Sequence, residues 1–219
     1  MLAQTYQFGE AGRQIYEFFW SDFTDWYLEI AKLQLAEGGD RAFYTQHLMV
    51  QVLDICLRFL HPFTPFVTEE CWGHLKRACQ AHSDRLLPLD GVWAEGLIVS
   101  RWPEPLEQQG WEAKKIQEFA QFQEVVRAIR NTRAEKNVKA KNKLAAIIVA
   151  GEESQALYQQ EAGNIATLAG LDAKRTRVVG TLESKPTGHI ALVVGAIQIY
   201  LPMADLVDAG EERLKLEKE

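Results

Sequence analysis

Cysteine is scarce in this sequence. The 219-residue chain has three cysteines, Cys56, Cys71 and Cys79, and no C-x-x-C pair, so neither a disulfide framework nor a structural zinc site is expected. Cys71, His74 and Cys79 are close in sequence, but three ligands on one predicted helix without a fourth make a poor tetrahedral site. We therefore expect reduced thiols in a core and no bound metal.

Long apolar runs are also missing. The longest nearly uncharged runs, 144–150 and 189–203, fall short of the roughly 20 residues that span a bilayer. No basic-then-apolar leader opens the chain. We therefore expect a cytoplasmic protein.

The sequence carries none of the common enzyme signatures. It has no G-x-x-x-x-G-K-[ST], G-x-G-x-x-G, H-E-x-x-H or G-x-S-x-G motif. Its five histidines are scattered, and acidic pairs such as Glu69-Glu70 lie where helix starts or charged surfaces explain them. We expect no catalytic activity from this chain and no cofactor of its own.

The first two thirds of the chain have the pattern of a helical bundle. Composition is that of an ordinary globular protein, with 47% hydrophobic and 25% charged residues. Prolines and glycines over 80–111 predict an irregular crossing with a short extended piece at 97–99. We assign 1–138 to the bundle, because apolar residues at helical spacing predict amphipathic helices over 10–36, 40–60, 65–78 and 112–137.

The pattern changes after the fourth predicted helix. The order is a strand at 144–149, a helical stretch at 153–169, a strand from 177 and a hairpin over 189–201 around Gly195. This order predicts a small α+β subdomain over 139–204. Residues 205–219 become helical and highly charged. The predicted fold is thus mainly α, with a helical bundle followed by a small α+β subdomain and the start of a further helix.

Basic residues are concentrated in one segment of an acidic chain. The net charge is −6, yet residues 114–143 hold nine basic and three acidic side chains. An acidic body with one compact basic segment suits a protein that binds a polyanion at a chosen place. On charge alone, a solvated helix face is the favoured alternative.

The fourth predicted helix places its arginines on different sides. At about 100° per residue, an inward face formed by Ile116, Phe119, Phe122, Val126 and Ile129 also includes Arg133. Arg130 borders that face, while Arg127 and Lys136 lie on opposite sides of the helix. Arg133 must either pair with an acid in a cleft or point beyond the core at an anionic ligand, and helix geometry leaves the two alternatives about even.

Aromatic residues cluster on the first predicted helix. Phe19, Phe23, Trp26 and Ile30 fall within roughly 60° of one another and are predicted core residues. Trp20 lies at the flank of this set. Packing is the commoner role for such a ring, and stacking on a nucleic-acid base is the alternative.

Four segments together carry a resemblance to a known family. They are Y-E-F-F-W-S-D-F-T-D-W-Y-L-E at 16–29, L-H-P-F-T-P-F-V-T-E-E at 60–70, I-R-N-T-R-A-E-K-N-V at 129–138 and I-Y-L-P-M-A-D-L-V-D at 199–208. In order and spacing they resemble the valyl-tRNA synthetase family of class I aminoacyl-tRNA synthetases. Lys136 stands where that family often has methionine, and 139–143 is more basic than is typical of it.

The resemblance implies a fragment with an anticodon-binding helical bundle at 1–138 and the start of a coiled-coil arm at 205–219. Both ends look truncated against the family, and the His-Ile-Gly-His and Lys-Met-Ser-Lys-Ser signatures are absent, so catalysis and editing would belong to the parent enzyme. ATP and Mg²⁺ would likewise serve the parent. The implied partners are the anticodon arm of valine tRNA and the parent catalytic core in cis, and we expect the fragment to be monomeric.

The residues predicted to bind tRNA share a basic or polar side chain or, in one case, an exposed ring. Phosphate contacts would supply most of the affinity, and unstacked anticodon bases would be read by edges or rings. A helical protein–protein interaction module without RNA binding is the alternative, favoured by the acidic total and the charged segment 206–219. The predicted tRNA-binding residues are Arg127, Arg130, Arg133, Lys136, Asn131, Lys139 and Trp20.

Overall fold

Helices form the first half of the chain, and a small sheet lies in the second. The structure is a computed structural model that describes residues 7–82, 85–105 and 107–206. Backbone packing divides the chain into two units, Met1–Glu107 and Gln108–Glu219. The fourth predicted helix belongs to the second of these packing units. The domain boundary at 138/139 rests on the change of sequence pattern and stays a prediction.

A continuous helical run opens the first unit. It is α-helical over Phe8–Glu17 (α1), π-helical over Phe18–Tyr27 and α-helical again over Leu28–Glu37 (α2). The run ends at Gly38, whose φ of +73° lies in the left-handed region that favours glycine. Two more helices follow, α3 (Gly39–Leu60) and α4 (Pro65–His82). The three helices predicted for this part of the chain are confirmed.

The core of the first unit contains the predicted aromatic face. Of the four predicted core residues, Phe23, Trp26 and Ile30 are buried, as their helical spacing predicts, and Phe19 is half-buried. A second cluster joins Leu57, Trp72 and Leu97 from different elements. Trp72 is 1% exposed, so its whole indole contributes to the apolar area removed from water.

The irregular crossing is confirmed, but its short element is different from the predicted one. Leu97–Val99 forms one turn of 3₁₀-helix where the sequence predicts an extended piece. The reason is a carboxylate supplied by α4. Glu69 accepts the N–H groups of Leu97 and Ile98 at 2.8 and 3.1 Å, which satisfies donors that a helical turn leaves unpaired at its start.

A buried polar cluster fastens this crossing to α3 and α4. The Nε of Arg58 lies 3.1 Å from both carboxylate oxygens of Asp54, and the indole N–H of Trp72 donates to Asp54 at 2.7 Å. The crossing supplies the N–H of Leu89 to Asp54, and Arg58 donates to the carboxylate of Asp90. Asp54 is completely buried and Arg58 nearly so, which is tolerated because each is hydrogen-bonded.

The second unit is a four-stranded sheet with helices packed on it. Strand order is β2-β1-β4-β3, with β1 parallel to β2 and β4 antiparallel to both of its neighbours. The predicted succession of strand, helix, strand and hairpin is confirmed, although β2 starts six residues earlier than predicted. The elements are α5 (Glu112–Glu135), β1 (Leu144–Val149), α6 (Glu152–Gln160), α7 (Ala162–Ala169), β2 (Leu171–Val179), β3 (His189–Val194), β4 (Ile197–Pro202) and α8 (Met203–Leu206).

One face of the sheet is packed beneath helices. α7 packs on β2, and α5 packs on both β3 and α7. Val125, Val126 and Ile129 of α5 are fully buried. The inward face of α5 begins only at Phe122, because Ile116 is 70% exposed and Phe119 is 38% exposed. The prediction that Ile116 and Phe119 belong to the inward face is therefore wrong.

The charged C-terminal segment falls almost wholly outside the described part of the chain. α8 ends at Leu206, and the predicted start of a coiled coil at 205–219 continues beyond it. Within residues 7–82, 85–105 and 107–206, no helix has both the length and the apolar character needed to cross a membrane.

Candidate nucleic-acid interface

Most basic side chains of the segment 114–143 lie on the last turns of α5 or directly after its C-terminal end. Asn137 adopts φ +54°, in the left-handed region where asparagine is tolerated better than most residues. The N–H of Val138 donates to the carbonyl of Arg133, and the N–H of Asn137 donates to that of Ala134. These two bonds form the Schellman ending of a helix. The A-E-K-N-V part of the third motif is thus explained locally as a helix stop that turns the chain into the lysine-rich segment 139–143.

Arg133 points into the second unit. Its side chain is 9% exposed, and its guanidinium donates hydrogen bonds to three backbone carbonyls. Nη1 donates to Asn142 and Gly170, each at 3.0 Å, and Nη2 donates to Lys139 at 3.3 Å. Burial lowers the pKa of this guanidinium below its ordinary value. Arg133 thus ties the end of α5 to the segment 139–142 and to the end of α7.

Both alternatives predicted for Arg133 are replaced by a third. It pairs with no acid in the described part of the chain, and its guanidinium is directed at backbone carbonyls instead of outward. Gly170 follows the last residue of α7, where helix carbonyls lack intrahelical partners and attract cations. A phosphate contact through the Arg133 guanidinium would require these three hydrogen bonds to break. The sequence offered no signal for this pairing, because the two residues are 37 positions apart.

Arg130 makes a related contact with α7. Its Nε donates to the carbonyl of Leu168 at 2.8 Å, although the residue as a whole is exposed. Arg130 and Arg133 are one helical turn apart, so both arginines of the R-x-x-R sequence in α5 donate hydrogen bonds to carbonyls at the C-terminal end of α7. Sequence reasoning counted both arginines as ligand-binding and missed this structural use.

The other predicted residues of this unit lie on the surface. Arg127 is exposed and pairs with Glu124 one turn earlier, at 2.8 Å. Asn131, Lys136 and Lys139 are exposed as well. The end of α5 and the following segment therefore bring most of the predicted polar set to the solvent-accessible surface of the second unit.

Trp20 belongs to the first unit, in the π-helical segment. It is 50% exposed, with its ring beside those of Tyr16 at 6.1 Å and Phe19 at 5.8 Å. Its flank position is as predicted, and half of the residue's surface is accessible to solvent. π-helical stretches occur frequently at functional sites.

No acidic or thiol cluster competes with this basic surface as a site. Across residues 7–82, 85–105 and 107–206, no group of three or more His, Cys, Asp or Glu side chains is placed to hold a metal ion. Cys56 and Cys79 are buried and Cys71 is exposed, all three as free thiols.

The chain belongs to the family described as the anticodon-binding domain of tRNA ligase. Residues 2–148 match that family, which takes in the helices of the first unit, α5 with its Schellman ending, and β1 almost to its end. The class of protein that the sequence motifs predict is therefore confirmed.

Valine–tRNA ligases are among the relatives that match the chain. The chain is 36% identical to those of Bacillus cereus, over 97% of its length, and Halalkalibacterium halodurans, over 98%. It is 34% identical to that of Listeria innocua over all of its length. The chain spans only 22–23% of the length of these relatives.

Proposed function

We propose that this chain binds the anticodon arm of a tRNA that accepts valine. The observation that carries the proposal is the exposed basic surface at the end of α5, in a chain of net charge −6 that belongs to an anticodon-binding family. Arg127 and Asn131 on the last turns of α5, and Lys136 and Lys139 directly after its end, would contact phosphates as the RNA passes around this helix end. Such contacts fix position and supply affinity, and they carry little sequence information.

Base recognition needs groups other than these cations. Anticodon bases are unstacked in a loop, so a ring such as Trp20 offers them a stacking surface worth about 1–3 kcal/mol per base. In this proposal Arg130 and Arg133 act differently from the other basic residues. They hold the end of α5 against α7, and thereby fix the place from which Lys136 and Lys139 reach the RNA.

The reaction of the relatives would need more chain than is present here. We propose that this chain works as a part of a valine–tRNA ligase, with the catalytic core in cis attaching valine to tRNA at the expense of ATP. ATP and Mg²⁺ would bind that core, and the part described here would contribute tRNA binding alone.

Binding of two RNAs tests the proposal. The 219-residue chain is titrated with valine tRNA and with a version substituted in the anticodon, at low and at moderate salt. We expect tighter binding of the natural anticodon, and weakening as salt rises because counterions are released from each contacted phosphate. Equal and salt-insensitive signals for the two RNAs would overturn the proposal and favour a protein-binding module.

A pair of variants locates the surface. Arg127→Gln/Lys136→Gln removes two exposed charges and is expected to reduce the slope of log K against log salt by about 2. Lys114→Gln/Lys115→Gln removes the same charge at the other end of α5, roughly 20–30 Å away at 1.5 Å per residue. The control should keep the slope of the unsubstituted chain. Equal slopes in the two double variants would place the contact elsewhere.

A further inference from the structure

The second unit has another cationic surface, on the opposite side of the sheet from the packed helices. Neighbouring residues in paired strands share a face, so Arg177, Ile147, Tyr200 and Ala191 form one row across all four strands. The next row ends in Gln198 and Val193. Of these, Arg177 of β2, Ala191 and Val193 of β3 and Gln198 of the inner strand β4 are exposed, so this face of the sheet is open at its two outer strands and at Gln198.

A cleft of about 350 Å³ lies at one end of the open face. Three cations, Lys174, Arg175 and Arg177, line it together with His189. Its floor is formed by Ala145, Ala146, Ile147 and Pro202. Lys174 and Arg177 form no ion pair with any carboxylate in the described part of the chain. Three cations therefore line the cleft, and among the described residues one of them, Arg175, forms an ion pair, with Asp205.

An irregularity in β2 places these cations. Leu171 pairs with Leu144 and Thr176 pairs with Ala146, so a single residue of β1, Ala145, lies opposite the four residues 172–175. Asp172 supports the bulge, since its carboxylate accepts the N–H of Lys174 at 2.9 Å and its carbonyl accepts the hydroxyl of Thr176 at 2.8 Å. Bulges re-aim side chains and recur beside functional sites.

Asp205 fixes one of the cations in position. It accepts the N–H of Ala145 at 2.9 Å and two contacts from the Nη2 of Arg175 at 3.0 and 2.8 Å. Burial alone would raise the pKa of Asp205, but the Ala145 N–H and the Arg175 guanidinium hold that pKa below its usual value. Arg175 is therefore oriented before any ligand arrives, which lowers the entropy lost on binding.

The geometry points to a second RNA site: we propose that the cleft formed by Lys174, Arg175 and Arg177 binds a backbone phosphate of the same tRNA, outside the anticodon contacts of α5. Arginine forks match phosphate oxygens in two-pronged hydrogen bonds, and lysine adds an unpaired point charge. The apolar floor around Ile147 and Pro202 suits the sugar that adjoins a phosphate in RNA. This inference rests on the proposed function, because the RNA that fills the cleft is the one bound at α5.

The test compares two double variants of the full 219-residue chain. Lys174→Gln/Arg177→Gln changes two exposed side chains that have no ion pair among the described residues, so the melting temperature should not change. We expect affinity for valine tRNA at low salt to fall roughly tenfold, and the slope of log K against log salt to fall by about 1 because one phosphate contact is lost. Lys114→Gln/Lys115→Gln removes equal charge from the same unit and should behave like the unsubstituted chain.

Three outcomes would overturn the inference, and they are distinguishable. If the unsubstituted chain does not bind tRNA, both the proposed function and the second site fail. If tRNA binding responds to Arg127→Gln/Lys136→Gln and not to Lys174→Gln/Arg177→Gln, the second site alone fails. Titration with inorganic phosphate is the third arm: saturable binding that Lys174→Gln/Arg177→Gln abolishes, with tRNA affinity unchanged, identifies a free-phosphate site instead of an RNA contact.

Discussion

The guanidinium of Arg133 and the backbone of Gly170 are in direct contact. Nη1 of Arg133 donates to the Gly170 carbonyl at 3.0 Å, and a Cβ added to Gly170 would lie 3.1 Å from the arginine Cζ. Gly170 also has φ +70°, where an L side chain is strained. Two independent causes, backbone conformation and the approach of an arginine, therefore require glycine at this position.

Substitution of Gly170 by alanine separates those two causes when a matched glycine is compared. Gly188 has the same φ of +70° and nothing within 4 Å of its would-be Cβ. Gly188→Ala should lower the free energy of unfolding by about 1 kcal/mol through backbone strain alone. Gly170→Ala should lower it by about 1–2 kcal/mol more, because its Cβ displaces the Arg133 hydrogen bonds. Denaturant unfolding of both variants measures the difference, and equal losses would rule out the contact as a source of stability.

The free energy of unfolding should depend strongly on the guanidinium of Arg133 and hardly at all on that of Arg127. Arg133→Met removes three hydrogen bonds and leaves the carbonyl of Asn142 without the arginine donor, while those of Lys139 and Gly170 keep the N–H groups of Asn142 and Leu144, and we expect a loss of about 2–4 kcal/mol in the free energy of unfolding. Arg127→Met removes an exposed pair with Glu124 whose side chains are 49% and 58% accessible, so its effect on stability should stay within about 0.5 kcal/mol.

Binding of tRNA to Arg127→Met and to a further variant, Arg133→Lys, completes the comparison. Arg127→Met should weaken binding at unchanged stability, because it removes a proposed phosphate contact. Arg133→Lys keeps the charge but has no planar fork for three carbonyls, so it should still be destabilised. A stable Arg133→Lys chain with weakened tRNA binding would instead make Arg133 a direct RNA contact.

The elements that could be predicted from sequence are those whose signals are local. Helical spacing located the opening helix, the Thr64-Pro65 pair located the start of α4, and the hairpin turn was found at Gly195, where φ is +57°. Leu97–Val99 was predicted incorrectly because its conformation depends on the carboxylate of Glu69, 28 residues earlier. Ile116 and Phe119 follow the helical period of α5 but lie beyond the part of it that the sheet and α7 cover.

The candidate site was predictable in composition and not in geometry. Charge counting found the basic segment and helix geometry placed Arg133 on the buried side of α5, but one of the carbonyls that accept its hydrogen bonds is that of Gly170, at a helix end that no periodicity connects to Arg133. The cleft beside Arg175 was missed because the run K-R-T-R at 174–177 lies in a part of the chain with more acidic than basic residues, and because His189 and Pro202 are brought beside it only by strand pairing.

Asp54 should be among the most sensitive polar positions in the first unit. Asp54→Asn leaves the buried Arg58 with the partly exposed carboxylate of Asp90 as its remaining charged partner, and removal of one member of a buried pair costs about 3–5 kcal/mol. Asp25→Asn, on an exposed stretch of the π-helical segment, should change stability by less than about 0.5 kcal/mol. Denaturant unfolding gives both values. The double variant Asp54→Leu/Arg58→Met replaces both members of the pair. If it loses less free energy of unfolding than Asp54→Asn alone, the uncompensated charge of Arg58 causes the loss in Asp54→Asn. If it loses more, the loss comes from the hydrogen bonds that Trp72 and Leu89 donate to Asp54.

The buried thiol of Cys56 should make the chain sensitive to alkali. Burial raises the pKa of Cys56 to about 11, against about 8.5 for an unfolded cysteine, and the residue is 1% exposed. Below pH 8.5 the thiol is protonated in both states and has no effect on pH dependence. Between pH 8.5 and 11 the unfolded chain has released a proton that the folded chain retains, so rising pH favours unfolding by up to about 1.4 kcal/mol per pH unit for this group.

We therefore expect Cys56→Ala to lose less stability than the unsubstituted chain between pH 8 and pH 11, by on the order of 3 kcal/mol. The control is Cys71→Ala, which removes an exposed thiol and should keep the pH dependence of the unsubstituted chain. Identical pH profiles for all three proteins would mean that water reaches Cys56 in the folded state.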